Sequence, residues 1–236
     1  MVQTKQQSRL SMRWAWVLGA LLCMLGAGAF AHGVSESDKG FLQGATGIHF
    51  LPYLYLGAKH MVTGYDHLLS LCGVIFFLYC MKDIGLYVTL FAVGHSTTLL
   101  LGVLNGWQIN AYLVDAVIGL SIVYRAFDNL GGFKTVFGAQ PNKKAAVLIF
   151  GFFHGLGLAT KLQDFALSAD GLVPNMIAFN IGVEIGQLLA LGMILVAMRH
   201  WRTTGSFARH ALSGNIALMC AGFVLAGYQF TGFMST

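Results

Sequence analysis

Six apolar stretches, each close to twenty residues long, follow one another through most of this chain. They run near Gly64–Met81, Ile84–Leu104, Ala111–Asn129, Lys144–Thr160, Asn175–Met198 and Arg209–Phe230. A helix crosses a bilayer core in about 20 residues. Inside hydrocarbon every backbone N–H and C=O must be paired within the protein, so segments of this length fold as helices. A barrel would need short alternating strands, and the sequence has none of that pattern. Only 10% of the 236 residues are charged and 56% are hydrophobic, against roughly 25% charged in soluble domains. The expectation is an all-α polytopic protein, a six-helix transmembrane bundle (64–236) whose main partner is the lipid bilayer.

The N-terminus carries a different signal. Lys5, Arg9 and Arg13 precede an apolar run from Trp14 to Phe30 that ends in Ala29-Phe30-Ala31. A basic region, a short apolar core and a small-residue site describe an export signal. Residues 1–31 are read as a cleavable signal peptide, which would make His32 the mature N-terminus. A retained first helix is the alternative. Residues 32–63 are read as a periplasmic or interfacial segment, because Pro52 and several glycines interrupt the apolar stretch Phe41–Leu56. A seventh span is the alternative there.

The formal charge of +5 is mostly the signal's. Without residues 1–31, eleven Lys and Arg face nine Asp and Glu, which gives no reason to invoke nucleic acid. The cations that remain are unevenly placed. With the mature N-terminus outside, Lys82, Arg125, Lys134, Lys143, Lys144, Arg199, Arg202 and Arg209 fall on the cytoplasmic side, and Lys39, Lys59 and Lys161 on the other. That bias predicts an inner-membrane protein with both mature termini in the periplasm. No CxxC pair is present, so neither a disulfide framework nor a thiolate zinc site is indicated.

The informative residues are the polar ones inside the spans. An ionisable side chain at mid-bilayer costs about 2.5–3.5 kcal/mol on insertion scales and usually faces the bundle interior. Here these are Asp66, His67, His95, Asp115, His154 and Glu184. At 1.5 Å per residue, Asp66 and His67 open the first span, Asp115 lies roughly two turns below the outer face, and His95, His154 and Glu184 fall near the midplane. The expected arrangement is a vestibule leading to a central site. Asn180, Glu184 and Gln187 are spaced as one polar stripe. Gly151 with Gly155, and Gly182 with Gly186, have the small-xxx-small spacing of close helix contacts. His95 and Thr98 share a face, and Arg125 with Asp128 is expected to be a structural ion pair. The alternative is that these polar residues only tether helices.

The densest cluster is His60-Met-Val-Thr-Gly-Tyr-Asp66-His67. On a continuous helix His60 and His67 would stand about 10.5 Å apart, too far to share one ion at bond lengths near 2.1 Å. Either Gly64 breaks the helix or the two are successive stations. Asp66 is placed to orient His67 through its ring N–H. Imidazole and carboxylate together suit nickel, cobalt, zinc or iron, whereas copper(I) would want Cys or Met.

These residues sit in motifs that resemble the HupE/UreJ family of membrane proteins: His60-x5-Asp66-His67-Leu68-Leu69, Gly94-His95-Ser96-Thr97-Thr98-Leu99, Phe153-His154-Gly155-Leu156-Gly157, and Phe179-Asn180-Ile181-Gly182-Val183-Glu184-Ile185-Gly186-Gln187. With the Ala31-His32 start after the signal, the resemblance covers most of the mature chain. It implies a secondary nickel/cobalt permease, of a kind linked to hydrogenase or urease maturation, and so metalloenzyme maturation partners. It maps the family's His-x5-Asp-His motif onto His60, Asp66 and His67.

The expected function is a secondary permease for a divalent transition-metal cation, nickel or cobalt first, and not an enzyme. The expected metal residues are His60, Asp66, His67, His95, Asp115, His154, Asn180, Glu184 and Gln187. No tightly bound cofactor is expected, only the transported ion; a homo-oligomer is an open possibility. No Walker loop is present, so ATP hydrolysis by this chain is not expected. Two other classes stay in view. An intramembrane zinc hydrolase would use three His and a carboxylate to hold zinc, with Glu184 as base and Ser96 or Thr97 assisting. A metal-holding assembly factor would bind the ion without moving it.

Overall fold

The computed structural model describes residues 36–78, 81–163 and 168–236, all within one compact unit, Val34–Thr236. The signal segment and His32 lie outside the described residues. Every regular element among those described is a helix: α1 (Glu36–Gly44), α2 (Phe50–Thr63), α3 (Tyr65–Ile75), α4 (Met81–Leu104), α5 (Ala111–Asn129), α6 (Gly132–Phe137), α7 (Lys143–Gln163), α8 (Leu172–Thr203) and α9 (Gly205–Met234). The protein is all-α.

Among the described residues, four helices are long and apolar enough to cross a membrane: Lys82–Leu104, Lys143–Gln163, Leu172–Thr203 and Gly205–Met234. The chain is a multi-pass membrane protein. Helix α5 spans the expected Ala111–Asn129, 19 residues, but Asp115, Arg125 and Asp128 put three charges inside that short length. Its first turn is capped by the Asn110 side chain, which accepts from the Leu113 N–H.

The first expected span is different. In place of one helix over Gly64–Met81 there is an 11-residue helix, Tyr65–Ile75, only about 16 Å long at 1.5 Å per residue. Gly64 stops it at one end, with an extended backbone (φ −73°, ψ 107°) between α2 and α3. At the other end Arg202, from α8, donates to the carbonyls of Ile75 and Phe76. The carbonyls of a helix's last turn have no N–H of the next turn to accept from; the Ile75 carbonyl also accepts from the Leu78 N–H at 2.9 Å, and a guanidinium with several N–H groups reaches both carbonyls. The sequence pattern alone does not show that a cation from a remote helix is closing this one.

Three helix pairs are welded by glycine. Between α4 and α7, Gly94 and Gly151 lie on each other's partner backbone, near Leu148 and Phe91, and Gly155 lies on the His95 carbonyl. Between α2 and α8, Gly57 faces the Phe179 carbonyl while Gly182 and Gly186 face those of Leu54 and Ala58. Between α5 and α9, Gly119 meets the Ala226 backbone. A Cβ at these positions would strike main chain, so the backbones approach to the limit that dispersion packing allows. Helix α2 is therefore packed along α8, with Tyr53 and Met61 buried. The short α3 touches α2, α4, α5, α8 and α9, which places it among all three pairs.

Polar ties hold the ends. Asn175, in the first turn of α8, donates to the Gly47 carbonyl and accepts from the His49 N–H, 2.9 and 2.7 Å. Lys59 pairs with Asp38 at 2.6 Å. At the opposite end Arg125 and Asp128 form the expected pair at 3.3 Å. Gln140 donates to the same carboxylate, and Asn129 bridges the Gly73 carbonyl and Asn215.

Candidate metal centre

The site is built around His67. Gly64 interrupts the helix between His60 and His67, and their rings come to 4.9 Å between centroids. Of the two readings left open by the sequence, the broken helix is the one found. The break needs glycine for a second reason. A Cβ at Gly64 would stand 2.8 Å from His67 Nδ1 and 3.1 Å from Asp66 Oδ1.

Two further helices add an imidazole each. His154 of α7 lies 5.2 Å from the His67 ring, and His95 of α4 lies 6.0 Å from it. His67, His95 and His154 are 3%, 0% and 1% exposed, and Asp66 is 2% exposed. His60 is half-buried, at the edge of the group. His95 is within electrostatic reach of His60, Asp66, His67 and His154. The phenyl ring of Phe91 packs against His154 and stacks on His95, at 5.0 and 6.1 Å. Phe179 lies 6.3 Å from His60. The sequence reading did not single out Phe91, and it named Phe179 only as the first residue of a motif. Phe91 is four residues before His95, which puts it on the same helix face.

The hydrogen bonds set the tautomers. His67 Nδ1 is 3.0 Å from Asp66 Oδ1, so its ring N–H donates to the carboxylate. His154 Nδ1 donates to the Phe150 carbonyl at 2.8 Å. In both rings Nε2 is then the lone-pair nitrogen, the form that ligates a metal. His67 Nε2 and both nitrogens of His95 are buried with no hydrogen-bond partner among the described residues. Buried polar atoms are rarely left so. Rings that share a tetrahedral ion at 2.1 Å bonds hold their centroids about 5 Å apart, close to the spacing here. As they stand, no group of three or more His, Cys, Asp or Glu among the described residues is arranged to hold one ion. The rings have the separation for it without aiming their nitrogens at one point.

A comparison with protein families gives the decisive match: the model of the HupE/UreJ protein covers residues 36–236. The chain belongs to the HupE/UreJ family. A comparison with curated proteins and one with solved structures found no match. The His-x5-Asp-His and Phe-His-Gly motifs that suggested the HupE/UreJ family in the sequence are the segments that supply His60, Asp66, His67 and His154 to the cluster.

Four expected residues sit elsewhere. Asp115 is engaged by Lys161, whose Nζ donates to both carboxylate oxygens at 2.9 and 2.7 Å. Lys161 is two turns beyond His154 on α7, about 10.5 Å along the axis, so Asp115 belongs to an ion pair at that level and not to the imidazole group. Glu184 is exposed. It lines a groove of about 470 Å³ between α4 and α8 with Thr89, Ser96, Thr97 and Gln187. Glu184 thus stands apart from the buried imidazole of His67 and from those of His95 and His154, which the sequence reading placed with it near the midplane. The stripe Asn180–Glu184–Gln187 straddles the edge of the packed face: Asn180 and Gln187 are buried and Glu184 is not. Asn180 donates to Met176 O at 3.2 Å and Gln187 to Val88 O at 3.4 Å. Thr98 donates to Phe152 O across the α4–α7 contact at 2.7 Å, so its hydroxyl ties helices together.

Proposed function

We propose that this HupE/UreJ protein is a secondary permease for a divalent transition-metal cation, nickel or cobalt, which passes through the cluster of His60, Asp66, His67, His95 and His154. The observation that carries this reading is His67 and His95 side by side and buried, with His67 Nε2 and both nitrogens of His95 lacking a hydrogen-bond partner among the described residues. Imidazoles kept for structure alone would be expected to find a partner. Borderline nitrogen donors suit nickel and cobalt, and one carboxylate adds charge without making the site a hard oxygen cage.

The half-buried His60 is the entry ligand. The ion passes to His67, whose basicity Asp66 raises through the Nδ1–H bond, and then meets His154 and His95. Rotation of the rings about their side-chain torsions closes them on the ion, with the helices held by their glycine contacts. A site that assembles only transiently binds weakly enough to release its cargo. Ligation needs neutral imidazole, so uptake falls as pH drops through the histidine range. The bias of Lys and Arg supports an orientation with both mature termini in the periplasm of an inner-membrane protein. The membrane potential, worth about 2.3 kcal/mol per charge per 100 mV, then pulls a dication inward.

The test is uptake of labelled nickel and cobalt by cells and by liposomes carrying the purified protein. His154→Ala and His67→Ala abolish accumulation, whereas Glu184→Gln retains most of it. Wild-type liposomes that fail to move either ion would overturn the reading. A tightly held zinc surviving purification would point to the hydrolase instead.

A further inference from the structure

We infer that the groove between the end of α8 and the side chains of Leu78 and Ile84 is a binding site for one anionic phospholipid. It is lined by Leu78, Ile84, Gly192, Leu195, Val196, Arg199, Arg202 and Thr203 and encloses about 560 Å³. The lining is segregated. Arg199, Arg202 and Thr203 lie together near the C-terminal end of α8, and the other side chains are apolar. Gly192 lies seven residues before Arg199, about 10.5 Å deeper along the axis. A Cβ at Gly192 would meet nothing within 4 Å, so the groove stays open at that depth.

A phosphate needs cationic donors at the headgroup level, and an acyl chain needs an apolar channel leading away from them. This groove supplies both on one wall. Helix α8 is 32 residues long, about 48 Å, and a hydrocarbon core is about 30 Å thick. Its last turns therefore reach headgroup level. Arg199 is exposed there. Arg202 donates to the Ile75 and Phe76 carbonyls and also lines the groove. No acidic residue lines it among the described residues. Basic pockets of this kind between membrane helices receive anionic headgroups. A lipid seated here would also brace the closure of α3 by Arg202, at the end of α3 opposite His67. The inference stands apart from what the protein transports.

The test uses the full chain in detergent, with dioleoylphosphatidylglycerol and dioleoylphosphatidylcholine added in equal amounts, and counts retained lipid by native mass spectrometry. The wild type keeps one phosphatidylglycerol in preference to phosphatidylcholine. Arg199→Gln lowers that retention about fivefold, the effect of one surface cation on an anionic lipid. Gly192→Leu, which fills the channel where there is room for it, lowers it similarly. Equal retention of the two lipids, or retention unchanged in both variants, overturns the inference. Loss in Arg199→Gln alone, with displacement by inorganic phosphate, identifies a free-anion site and overturns it too.

Discussion

Gly155 of α7 lies directly on the main-chain carbonyl of His95 in α4, so close that a methyl group there would collide with it. The contact sits one residue from His154, and it sets the spacing of the two helices that supply His95 and His154. Gly155→Ala forces the helices apart, at a cost of about 1–3 kcal/mol from overpacking. It therefore lowers the thermal unfolding midpoint and weakens uptake together. Gly85→Ala, on the same helix pair but facing open space, shifts the midpoint little. Equal behaviour of the two variants would show that the α4–α7 contact is looser than drawn.

Gly64→Ala separates fold from site. The added carbon falls against His67 Nδ1 and Asp66 Oδ1, and the surroundings are two movable side chains plus the His60 carbonyl. The side chains give way first, so His67 loses its carboxylate and its place among the rings. The expected outcome is strongly reduced nickel uptake with a near-normal unfolding midpoint in detergent. Full uptake would mean that the His67–Asp66 pairing is dispensable.

Much of this architecture is legible in the sequence, for physical reasons. Hydrocarbon permits little besides helices, so α4, α5, α7, α8 and α9 follow from apolar length. The seams at Gly151/Gly155 and Gly182/Gly186 follow from the spacing of small residues. Periodicity, however, says which residues share a face and not which face turns inward. Glu184 shares a stripe with Asn180 and Gln187, yet it ends on the open side of α8. Helix pairing is equally hidden. Nothing near Asp115 announces Lys161, 46 positions away, as its partner. The sequence offers Gly64 as a break without deciding whether the helix takes it, since the outcome depends on Arg202 and five neighbouring helices accommodating a short α3.

Asp66 admits two roles that differ in outcome. As the acceptor for His67 Nδ1–H, it fixes the tautomer and basicity of the ring. Losing such a partner typically costs 10–100-fold in metal affinity. Asp66→Ala should raise the nickel concentration for half-maximal uptake by about that factor. Asp66→Asn keeps an oxygen acceptor and should lose less. Were Asp66 a direct ligand, the charge itself would matter and Asn would be as damaging as Ala. Concentration curves for the two variants decide between these.

The Asp115–Lys161 pair lends itself to a double-variant cycle. The aspartate is buried, and the lysine side chain is 18% exposed. Removing one partner strands the other's charge in low dielectric, at a cost of about 3–5 kcal/mol, whereas an apolar replacement of both is often close to neutral. Asp115→Leu and Lys161→Met should each destabilise the protein strongly in thermal unfolding, and the double variant should recover most of the loss. If Asp115 instead served as a metal station, its removal would reduce uptake in the double variant as well, even with stability restored. The ion pair joins α5 to α7 two turns beyond His154, so the expectation is that the double variant transports normally once it folds.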